Sequence, residues 1–364
     1  LSLVGSGGMG ALEYEPVTPD PDPLPERIDL DGVAEEAWRT LNEDPLPVET
    51  LRTLMALNGS SCGARPKIMV RVSGDRRLIV PDAVAEPRCD PWLIKFPARH
   101  DDPAIGRMEY ACSLAAKRAG IEMPETALFP GRDGAAYFGV RRFDREDGGK
   151  VHVHTACGLL HASHRYASLD YENLFRLGKS LTRNPEDVEK LVRLMAFNVR
   201  LGNQDDHSKN FSFLLDAKGR WRLAPAYDLT PSRGVGGEQT CMVNGKGRDI
   251  TDKDMIAAAS VVDVPARTVK AILEQVGEAV AALMIEDGGK AGFAIESVII
   301  ALLLKAGRRG EDLVPGVDVL SGVGVAGLDL RGGDIELGRL GQKRVAHVHM
   351  VQDHERRRFA ADIF

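Results

Sequence analysis

The stretch "LGNQDDHSKNFSFLLDAKGRWRLAPAYDLTPS" runs from Leu201 to Ser232. A polar loop, Asn203 to Lys209, leads into the apolar run "NFSFLL", the turn "DAKG", and a second run "RWRLAP" that ends in "AYDL". Two short apolar runs around a Gly-containing turn predict a β-hairpin. Because a hairpin brings its ends together, Asp205 and Asn210 at its entrance are expected to face Asp228 just past its exit. Two carboxylates and an amide oxygen then converge, a hard-oxygen set suited to Mg²⁺, which takes one or two carboxylates and keeps positions for water and phosphates. The order Asp-x-x-x-x-Asn, hairpin, Asp is the one used in phosphoryl transfer by protein kinases. There the first Asp accepts the hydroxyl proton, and the Asn and later Asp hold metal. A solvated loop with an Asx turn would account for one or two of these residues, not for the set on both sides of one hairpin.

Such chemistry also needs a cation for the nucleotide phosphates. Lys95 in "WLIKF" is flanked by apolar residues, an unusual place for a lysine without a partner or ligand. The helix predicted from Arg107 to Gly120 supplies Glu109 as that partner. Within the polar loop itself, His207 and Lys209 are assigned supporting roles, and Asp206 is read as solvated.

The remaining sequence sets the frame. The chain has 364 residues, 43% hydrophobic and 27% charged, with net charge −6. That length suits two packed lobes, and that charge argues against a chain whose main work is holding phosphate backbones. Five scattered cysteines without a CxxC pair suit reduced thiols in a cytoplasmic protein. No apolar run is long enough to span a membrane. The first half reads as a small mixed lobe. It has a helix at "AEEAWRTLN", another at "PVETLRTLMALNGSS", a hairpin in "KIMVRVSGDRRLIVP" turning at Ser73-Gly74-Asp75, and strands "DPWLIKFPA", "ETALFPG" and "AAYFGVRRFDR". The second half reads as mainly helical. "NPEDVEKLVRLMAFNVRLG" has Asn184 at its cap and Pro185 at its first position, and later helices are expected over 264–284 and 293–305. "GSGGMG" at Gly5 to Gly10 fits G-x-G-x-x-G but opens no helix, and reads as a turn. His152, His154, His161 and His164 lack a carboxylate or Cys set and read as exposed loop and helix histidines.

"GNQDDHSKNFSFLL" followed by "LAPAYDLTPS" closely resembles the catalytic segment of HipA-like serine/threonine kinases, the toxins of bacterial toxin–antitoxin pairs. The resemblance continues in matching order through "SSCGARPKIMV", "WLIKFPA", "RMEYACSLAAKRAGIEMP" and "FGVRRFDR", covering about Leu3 to Lys305. It implies an α+β, two-lobed protein-kinase-like fold, with a β-rich N-lobe over 33–150 and a helical C-lobe over 151–310. A truncated N-terminal piece and linker over 1–32 and a tail over 311–364 flank these lobes. It also implies Asp205 as catalytic base, Asn210 and Asp228 as Mg²⁺ ligands, and Lys95 with the loop Ser61, Cys62, Gly63 and Ala64 as the ATP site. Ser60 falls at the family's autophosphorylated serine, with Ser61 a second candidate. The implied partners are a HipB-like helix-turn-helix antitoxin, DNA only through that antitoxin, and a translation protein such as an aminoacyl-tRNA synthetase as substrate. Arg141 stands where relatives commonly carry an acid. Three alternatives stay open: a small-molecule phosphotransferase, an inactive nucleotide-binding interaction module, and a metal-dependent hydrolase using Asp205, Asp206, His207 and Asp228.

Overall fold

A computed structural model describes residues 7–15, 24–42, 54, 57, 65–84, 86–99, 101–146, 148–163 and 169–283, and strand segments between 285 and 363. Two compact units divide the chain, Leu1–Leu283 and Met284–Phe364.

The first unit begins its regular structure with α1 (Leu30–Leu41), capped by Asp29 and burying Leu30, Val33 and Ala37. Strands β1 (Lys67–Ser73) and β2 (Ile79–Pro81) form the expected hairpin. Its turn is closed by the Arg76 amide donating to the Ser73 carbonyl at 2.8 Å, with Arg76 at φ 58°. After β3 (Cys89–Lys95) come α2 (Ile105–Arg118), β4 (Thr126–Pro130) and β5 (Ala136–Arg141). The strands make one antiparallel sheet in the order β2-β1-β3-β5-β4.

Side chains alternate across a sheet, so one face of it can be apolar and the other chemical. Ile68, Val70 and Val72 of β1, with Trp92, Ile94 and Phe96 of the β3 segment, pack with Leu30 and Val33 of α1 and with Phe129 and Tyr137. Lys95 lies between Ile94 and Phe96 and therefore points the other way, toward α2. That helix ends as expected: Gly120 adopts φ +78°, and the Ile121 amide donates to Ala116 O at 3.0 Å.

The helical lobe starts with β6 (His152–Thr155), α3 (Tyr171–Thr182) and α4 (Pro185–Leu201). Asn184 caps α4 through the Glu186 amide at 3.1 Å, and Gly202 ends it at φ +72°. Strands β7 (Ser212–Leu215) and β8 (Trp221–Leu223) form the predicted hairpin, and β6 joins it in the order β8-β7-β6. Helices α5 (Asp252–Ser260) and α6 (Ala266–Ala281) complete the lobe.

Several expectations are corrected. His152 and His154 lie on β6, not in a loop or helix, because their strand pairs with β7 residue by residue, from His152↔Leu215 to Thr155↔Ser212. Helix α5 was not anticipated, although Thr251 and Asp254 make a capping box at its start. Of "GSGGMG", Gly5 and Ser6 lie outside the described residues; the rest bends into a turn at Gly10, where Gly10 N donates to Asp144 Oδ2 at 2.7 Å and Gly8 O accepts from Arg145 at 2.8 Å. The helix expected over 293–305 lies outside the described residues, as does that of "PVETLRTLMALNGSS" apart from Leu54 and Leu57.

The unit Met284–Phe364 contains a hairpin, Ile285–Asp287 with Lys290–Gly292. It also has a four-stranded antiparallel sheet in the order Leu328–Asp329, Ile335–Leu337, Ala346–Asp353, Arg356–Ile363. Among the described residues no helix is long and apolar enough to cross a membrane.

Gly106 sets the seat of α2 on the sheet, since a Cβ there would lie 2.2 Å from the Ala136 carbonyl oxygen. Gly106→Ala is expected to push the helix off β5 and to destabilise the protein by about 1–3 kcal/mol, the usual range for overpacking. Urea unfolding of the variant beside wild type measures this.

Candidate active site

The centre of the site is one lysine, largely but not fully withdrawn from solvent. Lys95 Nζ donates to Glu109 Oε1 of α2 and to Asp228 Oδ1 beyond the β7–β8 hairpin. Its side chain is 12% exposed, Glu109 5% and Asp228 43%, so the cluster is closed at the lysine and open at Asp228. The Lys95 ammonium also sits 5.8 Å from the centre of the Phe138 ring, its partner across the sheet. A cavity between sheet and α2 opens on the pair and is lined by Arg65, Pro97, Ile105, Gly106 and Phe138.

Burial disfavours the Lys95 charge, yet the carboxylates of Asp228 and Glu109 outweigh it and hold the pKa above the ordinary lysine value. Asp228 is drawn down to about 2, by the Lys95 charge first, against the opposing effect of burial. Burial pushes Glu109 up despite Lys95. Asp228 adopts φ 55°, a left-handed conformation that costs a non-glycine residue energy and persists only where surroundings impose it. The Asp228 carbonyl is held by the Asn203 amide at 3.2 Å while its carboxylate is held by Lys95.

The loop before the hairpin separates its two adjacent aspartates. Asp205 is exposed and Asp206 is fully buried. Asp205 N donates to Ser232 Oγ at 3.1 Å, and its carbonyl accepts from Asn210 Nδ2 at 2.9 Å. Desolvation raises the Asp205 pKa, His207 opposes, and the Asp228 charge adds to the rise. A carboxylate raised in this way is a better proton acceptor.

Asp206, expected to be solvated, instead accepts from Tyr171 OH at 2.8 Å, Gln239 Nε2 at 3.0 Å and Cys241 N at 3.0 Å. Its donors lie more than thirty positions away, out of reach of local pattern reading. The sequence reading also missed Asn203, whose side chain meets Asn198 at 3.0 Å and Ser232 at 2.8 Å, and which bridges in parallel to Ser232. Signals for these were present only as unremarkable amides between helix and hairpin.

His207 contributes its carbonyl to the Asn210 amide at 2.8 Å, and the Lys209 carbonyl accepts from Tyr227 OH at 2.7 Å. Ser60, Ser61, Cys62, Gly63 and Ala64 lie outside the described residues. Among the described residues no group of three His, Cys, Asp or Glu side chains is arranged to hold a metal, so a purely protein-made cage is not present there. The half-exposed Asp228 carboxylate and the Asn210 amide, whose nitrogen is already committed to Asp205, fit the alternative of few protein oxygens completed by water and phosphate.

A family model described as HipA-like C-terminal domain matches residues 59–284. The chain belongs to the HipA-like family. One relative, "Putative kinase Y4mE" of Sinorhizobium fredii, is 31% identical over 252 residues, which are 63% of this chain and 56% of that protein. A second from the same organism, "Putative kinase Y4dM", is 26% identical over 42% of this chain and 40% of its own length. The HipA-like chain thus spans about half the length of the curated relatives it matches. Among solved structures, the HipA, HipB and operator DNA complex of Shewanella oneidensis matches with a TM-score of 0.55 at 21% identity. That match covers 85% of this chain and 77% of the other, and it carries the fold: two lobes, α+β and kinase-like, as expected.

The ion cluster has a signature in acid. A carboxylate whose folded pKa is lowered stabilises the fold above its unfolded value and loses that contribution as pH falls through the folded one. For Asp228 that window runs from 3.8 down to about 2. Lys95→Met is expected to be less stable than wild type at neutral pH, with the gap narrowing through that window. Denaturant unfolding of both proteins between pH 2 and 7 reads it.

Proposed function

We propose that this chain is an ATP- and Mg²⁺-dependent protein kinase that phosphorylates serine or threonine. The observation that carries the reading is the Lys95 cluster: a largely buried ammonium held by Glu109 and reaching Asp228, with exposed Asp205 and half-buried Asn210 at the mouth of the same hairpin. A binding module has no need of a clamped lysine, a raised carboxylate and an oxygen pair in one cleft.

Each residue then has a task. Lys95, oriented by Glu109, meets the phosphates of ATP with a charge that burial alone would have removed. Asp205 accepts the proton of the attacking hydroxyl as its oxygen bonds to the γ-phosphorus and the bond to ADP breaks. Asn210 and Asp228 would hold Mg²⁺, which when bound neutralises charge on the phosphates. Since Asp228 is engaged by Lys95, nucleotide loading exchanges one partner of the lysine for phosphate oxygens.

The finer parts of the reading come from the family resemblance. The loop Ser61 to Ala64 is taken to contact the phosphates, Ser60 to accept phosphate from the kinase itself, and a translation protein such as an aminoacyl-tRNA synthetase to be the substrate. The Shewanella oneidensis HipA was solved with HipB and operator DNA. A HipB-like antitoxin is accordingly proposed as partner here, with DNA reached through it, in the cytoplasm.

Intact-mass spectrometry with site mapping after incubation with Mg²⁺ and ATP tests this. A gain of one phosphate at Ser60 or Ser61, about 80 Da from the chemistry of the group, is expected in wild type and not in Asp205→Ala. ATP binding without any transfer to the chain or to supplied protein would favour a binding module or a small-molecule acceptor.

A further inference from the structure

The carboxylate of Asp206 is fully buried, yet the donors it meets, Tyr171 OH, Gln239 Nε2 and Cys241 N, are all neutral. Burying a charge on neutral donors costs stability unless every lone pair is served. Burial accordingly pushes the Asp206 pKa to about 6. Packing alone would be met by a smaller or apolar side chain. The placement of the three donors suggests what the carboxylate does instead.

Tyr171 begins α3, whereas Gln239 and Cys241 belong to the segment that follows Asp228. The anchor therefore ties the loop to the helical lobe and to the chain beyond the hairpin at once. The bonds continue inward: Asn198 Nδ2 of α4 donates to Tyr171 OH at 2.9 Å, and Asn203 Nδ2 donates to Asn198 Oδ1 at 3.0 Å and to Asp228 O at 3.2 Å. A continuous hydrogen-bonded path, buried up to Asn203, thus runs from the neighbour of Asp205 to the backbone of Asp228. On the outer side, among the described residues, Ser232 Oγ and Asn210 Nδ2 fix the Asp205 backbone.

We propose that Asp206 is a positioning residue, which through Tyr171 and Gln239 fixes the backbone of Asp205 and its register with Asp228. The proposal rests on reading Asp205 as the base. Because the side chains of adjacent residues in this loop point to opposite environments, pinning Asp206 in the interior presents Asp205 to the cleft.

The test compares wild type, Asp206→Asn and Tyr171→Phe in the full chain, measuring kcat and KM for ATP together with thermal unfolding. Tyr171→Phe removes a single hydroxyl and guards against a misfolded Asp206→Asn. The expected result is folded variants with KM for ATP within about twofold of wild type. Their kcat should be lowered by about 10- to 100-fold, as small misplacements of a catalytic group lower it. Variants that lose melting temperature but keep kcat would make Asp206 merely structural and overturn the proposal. A wild type with no phosphotransfer would overturn the reading of Asp205, and this inference with it.

Discussion

A lysine ammonium cannot be buried alone, and much of this site follows from how Lys95 avoids that. The apolar face of its sheet is occupied by Ile94, Trp92 and the α1 contacts, so the side chain must leave on the other face. There it finds one carboxylate 14 positions later and another 133 positions later. The nearer one requires α2 to lie close against β5, which the missing Cβ of Gly106 permits. The farther one requires the chain to return through the whole helical lobe. A single cation therefore couples sheet, helix and hairpin, holding the Asp228 carboxylate while Asn203 holds its carbonyl in a left-handed conformation.

The hairpin solves the second half of the problem. Asp205 and Asp228 lie far apart in sequence but near in space because β7 and β8 zip from Phe213↔Leu223 to Leu215↔Trp221. The hairpin base is then locked from the side: Asn203 bridges to Ser232, and Tyr227 OH reaches the Lys209 carbonyl at 2.7 Å. Closing a loop of this length costs only a modest entropy once the strands are paired. The polar loop can thus stay irregular while its ends are held.

What was legible in the sequence follows from the range of the forces involved. The hairpin, the caps at Asn184 and Gly202 and the helix ending at Gly120 are decided within a few residues, and they stand where the pattern put them. Lys95 and Glu109 could be paired by reasoning because a charge among apolar neighbours demands a partner. The Asp-x-x-x-x-Asn spacing singles out Asp205, but nothing local marks its neighbour Asp206 as interior rather than solvated. Only Tyr171, Gln239 and Cys241, brought in by tertiary structure, make one interior and leave the other exposed. The strand at His152 was missed for the same reason, since its pairing partner is the distant β7.

The two aspartates also illustrate opposite uses of desolvation. At Asp205 partial withdrawal from water raises the pKa while the group stays accessible, as its proposed role of base requires. At Asp206 complete withdrawal leaves a carboxylate that touches no solvent and can act only through the bonds it accepts. Lys95 and Asp228 add the third case, in which two opposite charges share their desolvation and each keeps the other ionised. The Lys95 contact also occupies one Asp228 oxygen, so under the proposed reading phosphates would compete with Asp228 for the lysine.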